Sequence, residues 1–249
     1  MNSASHRHGR LLKVSALSLI VLIPGWAYGQ LAHVTGRVEI HSAARKGKAA
    51  DVSGVVVWLT PVGSSMPASA PPVPSLPQMR LVQKNKAFEP HLLVVPVGAS
   101  VEFPNRDPFF HNVFSLFDGK RFDLGLYEAG STRFVHFDKP GISYIFCNIH
   151  AEMSAVVIAL DTPYYAISTS RGDLSIPNVP AGRYQIRVWS EISLPDELKD
   201  MTREITVAGT STSLGTLRIA ETELAHVHKN KYGRDYDREA PPSPVYEQR

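Results

Sequence analysis

Residues 141–160 read GISYIFCNIHAEMSAVVIAL. Two apolar runs rich in Ile, Val, Phe and Tyr enclose a short polar insert, the pattern of two strands joined by a loop. The insert carries the single cysteine of the chain, Cys147, with His150 three residues later and Met153 three after that. An isolated cysteine is by default a small buried hydrophobe. In a tight turn of roughly three residues per revolution, however, residues 147, 150 and 153 stack on one side, so one loop can present a thiolate, an imidazole and a thioether to a single point.

A fourth donor has to come from another strand. The candidate is His111, in EFPNRDPFFHNVFS at 102–115, which follows a proline-containing loop and opens a β-run. The 35 residues between it and Cys147 allow several strand passes back to the same end of a sheet. Two imidazoles, one thiolate and a weak thioether form the donor set of a blue-copper electron-transfer centre, in which soft sulfur suits Cu(I) and imidazole suits both oxidation states. Zinc competes, but its structural sites take four Cys or His ligands and a thioether serves it poorly. Iron–sulfur and haem sites need more cysteines or a C-x-x-C-H run, and neither is present. Each ligand also has a plainer alternative: His111 as a loop histidine, His150 as an exposed one, Met153 as core.

Those two stretches resemble the cupredoxin family, and the Cys-x-x-His-x-x-Met loop has the spacing of amicyanin. A wider region resembles exported cupredoxin-domain proteins labelled methylamine utilization protein, a label that does not establish that role. The resemblance covers roughly residues 80–161. It implies one copper ion cycling between Cu(I) and Cu(II), with His111, Cys147 and His150 as equatorial ligands and Met153 axial. It further implies that Asn112 ties the two ligand loops together from behind, and that an apolar patch around His150, with Ile149 and Ala151 as members, docks redox partners. Amicyanin-like loops often carry proline where this chain has Asn148, Ile149 and Ala151, which bears on loop rigidity and potential.

Outward from this core, 43% hydrophobic and 20% charged residues over 249 positions describe ordinary globular material, enough for one large domain or two small ones. Nineteen prolines and 17 glycines among short Val, Ile, Phe and Tyr runs predict an all-β chain of brief strands and turns. Six strand signals between Met79 and Thr162 suffice for a compact Greek-key sandwich, assigned here to 80–162. VTGRVEI and VVVWLTPV before it predict two strands paired as a hairpin, and YYAIS, LSIPNVPAGRYQIRVW, REITV and LGTLRI after it a second β unit. These flanks resemble the early and late strands of a carboxypeptidase regulatory-like, transthyretin-type β-sandwich, a second and smaller domain made of 30–63 and 163–219 with the cupredoxin inserted. The alternative is that 30–63 adds strands to the cupredoxin and 163–219 folds alone. Residues 64–79 are a Pro/Ser-rich linker, and 220–249 a charged, mobile tail.

Residues 1–29 combine a basic start, an apolar run from Val14 to Ile23 and small residues at Ala27 and Gly29. The apolar run is about half the roughly 20 residues a bilayer span requires, so a cleaved export signal is expected and no membrane span after cleavage. The net charge of +3 comes from Arg7, Arg10 and Lys13 of that signal, and nothing argues for nucleic acid as a partner. A periplasmic chain with one cysteine makes no internal disulfide.

The reading is therefore a periplasmic type 1 copper protein that transfers single electrons to and from a redox partner protein. It is not an enzyme, since Cys147 and His150 are taken by one metal centre and four protein ligands leave no open position. Two alternatives stay open: an exported binding or scaffold protein, and a copper-handling protein without a redox role, the latter weakly supported by only five methionines. His136, next to Phe134 on the same strand face, is expected to be structural. His33, His41 and His91 are expected at surface or strand positions, and His226 and His228 in the tail.

Overall fold

The protein was analysed as a computed structural model that describes residues 31–41, 51–63, 79–116, 119–222 and 229–236. The expected export signal, nearly all of the 64–79 linker, and His226 and His228 lie outside the described residues. The chain runs β1 (Leu31–His41), β2 (Val56–Pro61), β3 (Val82–Lys84), β4 (Ala87–Glu89), β5 (Leu92–Pro96), β6 (Ala99–Pro104), β7 (His111–Ser115) and β8 (Phe122–Tyr127). It continues through β9 (Thr132–Phe137), β10 (Gly141–Cys147), β11 (Ser154–Leu160), β12 (Tyr165–Ile167), β13 (Asp173–Pro180) and β14 (Gly182–Trp189). A six-residue helix α1 (Pro195–Asp200) precedes β15 (Arg203–Val207) and β16 (Ser211–Ala220). The chain is an all-β sandwich protein.

The alternation in β10 sends Ser143, Ile145 and Cys147 fully inward, while Ile142, Tyr144 and Phe146 are half-buried on the other face. Its partner β11 has no such alternation: six of its seven residues are buried. A continuous apolar run marks a strand covered on both faces, and β11 is one. Ala155, Val157 and Ala159 enter the core with Phe103, Val113, Tyr127, Phe137 and Ile145. Val156, Ile158 and Leu160 enter a separate cluster with Val56 and Trp189, which belong to distant parts of the chain.

The sheet holding β10 has the order β5-β11-β10-β7-β8, with β11 and β5 parallel and the other pairs antiparallel. It faces the β6–β9 pair and the β3–β4 hairpin, whose bridges Arg80–Glu102 and Gln83–Asn105 attach it to β6 and the loop after it.

Strands on either side of this body pair with one another. The order β13-β1-β16 makes one sheet and β12-β2-β14-β15 the other, and among the described residues β1 and β2 pair only with strands from 165–220. Val34, Val38, Val57, Leu59, Ile176, Ile186, Leu217 and Ile219 fill the space between them. The expected hairpin of the first two strands does not form, because β1 and β2 lie in opposite sheets. Both are needed there: β1 sends Ala32, Val34 and Val38 into this core, whereas β2 supplies Val57 and Leu59 to it and Val56 to the seam. The seam, where Trp58 and Trp189 meet Ile142, Tyr144, Val156 and Ile158, joins the two sandwiches.

Part of the 220–249 segment, expected as a charged, mobile or surface-lying tail, is described. Ala220 still belongs to β16, and residues 229–236 lie against the loop after β10, tied by hydrogen bonds described below. Polar composition hid this, since the contacts are made by hydrogen bonds and not by apolar burial.

Candidate metal centre

Antiparallel pairing sets Cys147 opposite Val113. Directly paired residues share a sheet face, and so do residues two apart on one strand, so His111 joins Cys147 on the core side. Both are fully buried. Beyond Cys147 the chain turns through a loop closed by the Cys147 N–H donating to the Met153 carbonyl at 3.2 Å and the Met153 N–H donating to the His150 carbonyl at 3.2 Å. That turn returns His150 to the sulfur.

The sulfur of Cys147 lies 3.5 Å from His111 Nδ1 and 3.5 Å from His150 Nδ1, and the two nitrogens are 3.2 Å apart. These three side chains form a group of potential ligand atoms all within 4.8 Å of one another. The point equidistant from three atoms at those separations lies about 2.0 Å from each, close to a metal–imidazole bond of about 2.0–2.1 Å and not far below a metal–thiolate bond of about 2.3 Å. His111 commits Nε2 to Asp107 Oδ2 at 2.9 Å, which leaves a lone pair on Nδ1. In the metal-free protein the thiol proton lies within this cluster; a metal ion bound there would replace it, and this donor set fits a soft to borderline transition metal.

Met153 is fully buried in the same core as Cys147. Ile149 and Ala151 are exposed, as is Phe110 just before His111. Phe109 packs on both imidazoles, its ring centroid 5.3 Å from that of His111 and 5.5 Å from that of His150, which makes it a wall of the site.

Burial pushes the His111 pKa down despite the Asp107 carboxylate, so the ring is neutral and able to ligate at neutral pH. Burial pushes the Cys147 thiol up, against N–H groups of Ile149, Asn112 and His150 that point to the sulfur. A metal must therefore displace a firmly held proton. Asp107 is pushed up by burial, but the amides of Lys86 and Asn85 and the His111 ring outweigh this and hold it below the ordinary value.

Asn112 connects the two ligand segments through its backbone. Its carbonyl accepts the Asn148 N–H at 2.8 Å. Its side-chain amide instead donates to Asp123 Oδ1 at 2.6 Å and to the Gly125 carbonyl at 3.1 Å on β8. The sequence reading missed Asp107, whose signal was a carboxylate four residues before a candidate ligand, and Lys231 and Tyr236, for which no local signal exists. His136 is exposed and reaches Ser100 at 3.5 Å. His91 bridges the Ser154 carbonyl and Glu191 across the two sandwiches.

No family model matches this chain, and no curated protein does. Solved structures do. A purple cupredoxin from Nitrosopumilus maritimus is 21% identical, with 33% of this chain aligned to 99% of that one at a TM-score of 0.30. An amicyanin variant in its oxidised state is 20% identical, 33% of this chain covering 81% of it at a TM-score of 0.31. A copper-containing nitrite reductase from Thermus scotoductus is 24% identical at a TM-score of 0.33, and the alignment spans 41% of this chain but only 26% of that enzyme. These alignments span about a third to two fifths of this chain.

Proposed function

We propose that this chain is an exported, periplasmic type 1 copper protein that carries one electron at a time between redox partner proteins, and that it is not itself an enzyme. The observation that carries the reading is the convergence of His111 Nδ1, Cys147 Sγ and His150 Nδ1 at one buried point. One copper ion held there by His111, Cys147 and His150, with Met153 as a further weak donor, would supply a reversible Cu(II)/Cu(I) couple.

The residues of the chain do the rest. Asp107 holds His111 through Nε2 and so keeps Nδ1 unprotonated. Amide N–H groups of Asn112, Ile149 and His150 directed at the sulfur stabilise its negative charge. Donors fixed on β7 and on a hydrogen-bonded turn move little when charge arrives or leaves, which keeps electron exchange fast. Phe109 limits water at the two imidazoles. Ile149, Ala151 and Phe110 supply an exposed apolar rim on which a partner would dock. Export is supported by the signal-like pattern of residues 1–29. The sandwich built from 31–61 and 165–220 is proposed to be the regulatory-like, transthyretin-type domain, into which the copper-binding body is inserted.

The test is optical. Mature protein loaded with Cu(II) is expected to show an intense visible thiolate band that bleaches on reduction, and Cys147→Ser is expected to lose the band while the fold persists. A parent protein that stays colourless, or a serine variant that keeps the band, refutes the proposal.

A further inference from the structure

Residues 229–236 form a compact turn braced on Asn230. Its N–H donates to the Arg234 carbonyl at 2.9 Å, its carbonyl accepts from Gly233 at 2.9 Å, and its side-chain oxygen accepts from Tyr232 and Arg234 at 3.0 and 3.1 Å. Gly233 sits at φ 74°, where a side chain would be strained. This turn touches the candidate centre at three places. The Tyr236 hydroxyl donates to the Cys147 carbonyl at 2.6 Å. The Lys231 N–H donates to Asn148 Oδ1 at 2.9 Å. The Lys231 ammonium pairs with Asp123 Oδ2 at 2.8 Å, and the other oxygen of that carboxylate holds the Asn112 side chain.

The two residues gripped directly, Cys147 and Asn148, immediately precede the Ile149 and His150 amides that point at the sulfur. Asp123 extends the grip to Asn112, whose own amide is the third such donor and whose neighbour is His111. The contacts of the turn therefore end on the Cys147 carbonyl, on the Asn148 side chain and, through Asp123, on the Asn112 side chain, in residues that carry or adjoin the amides facing the sulfur on both ligand segments.

We infer that the 229–236 segment is a strap that positions the metal-binding loop, with Tyr236 and Lys231 as positioning residues for the Cys147 thiolate. On the metal side this rests on the copper reading above; on the loop side it does not. Hydrogen bonds around a ligating sulfur tune its donation to the metal, and outer partners of ligands typically change metal affinity about 10–100-fold when removed.

The test compares the full-length parent with Tyr236→Phe, with Lys231→Met, and with Tyr232→Phe as a control, since Tyr232 is 70% exposed on the same turn. In metal-free protein, amide exchange at Ile149 and His150 is expected to accelerate in Tyr236→Phe and Lys231→Met but not in Tyr232→Phe. In copper-loaded protein, copper loss to a chelator is expected to quicken on the order of 10-fold, with a displaced visible band. Unchanged exchange at both amides in both strap variants overturns the inference, whatever the metal result. Faster exchange in a parent chain that shows no copper band supports the strap while the copper reading falls. Should one variant not fold, the other decides.

Discussion

Replacing Asp107 by asparagine tests how the protein sets the poise of its centre. The carboxylate is 5% exposed and accepts three hydrogen bonds, from His111 Nε2 and from the amides of Asn85 and Lys86. Asparagine keeps the shape and removes the charge. A hydrogen bond, the width of the imidazole ring and a metal bond would put the carboxylate roughly 6.5 Å from a copper ion held as proposed, and at an effective dielectric of about 20 a unit charge at that distance would be worth about 2.5 kcal/mol. Because a negative charge favours the more positive oxidation state, its loss should raise the reduction potential, by on the order of 100 mV at about 2.3 kcal/mol per 100 mV. Voltammetry of copper-loaded parent and Asp107→Asn checks this. A potential that is unchanged or falls, in a variant that keeps its visible band, refutes the argument that Asp107 acts by charge.

The same variant has a second signature in the metal-free protein. Whichever way the new amide is turned, its NH2 faces at least one buried N–H that the carboxylate had satisfied, which costs about 1–3 kcal/mol. The Asp107 pKa is lowered in the folded state, so its contribution is fully present above the unfolded value of 3.8 and is lost as pH falls through the folded value. The stability gap between parent and variant should accordingly be wide at neutral pH and close in acid.

Three further outcomes are expected. Trp189→Ala, at a seam residue 4% exposed, should cost about 3–5 kcal/mol and separate one thermal transition into two, since Trp189 packs against β11 of the other sandwich. His91→Gln should remove a pH-dependent clamp: hydrogen bonding to Glu191 raises the His91 pKa, so the clamp is fully present below 6.5 and lost as pH rises through the folded value, and denaturation midpoints of parent and variant should converge above it. Gly172→Ala should destabilise the sandwich formed by the flanking strands, because a Cβ there would lie 2.2 Å from the Val38 carbonyl oxygen at a backbone φ of 84°. A melting temperature equal to the parent's would refute it.

The parts of this protein legible in its sequence are those in which a few neighbouring residues suffice. The apolar runs on either side of a polar insert and the three-residue spacing of Cys147, His150 and Met153 are local facts, so they pointed to two strands and to a candidate metal-ligating loop between them. His111 could be named because its residue type was needed and the count of intervening residues allowed a return. What only the tertiary structure decided depends on which distant segments meet. β1 and β2 lie in opposite sheets, β1 burying one face through Ala32, Val34 and Val38 and β2 burying both, Val57 and Leu59 in one core and Val56 in the seam. The backbone route by which Asn112 joins the loops depends on the Asn148 N–H reaching its carbonyl, and the Asp107 grip on His111 on the fold of the loop before β7. The strap lay hidden in polar composition because hydrogen bonds such as Tyr236 to Cys147 leave no periodicity, and a chain 89 residues further along reveals its partner only when folded.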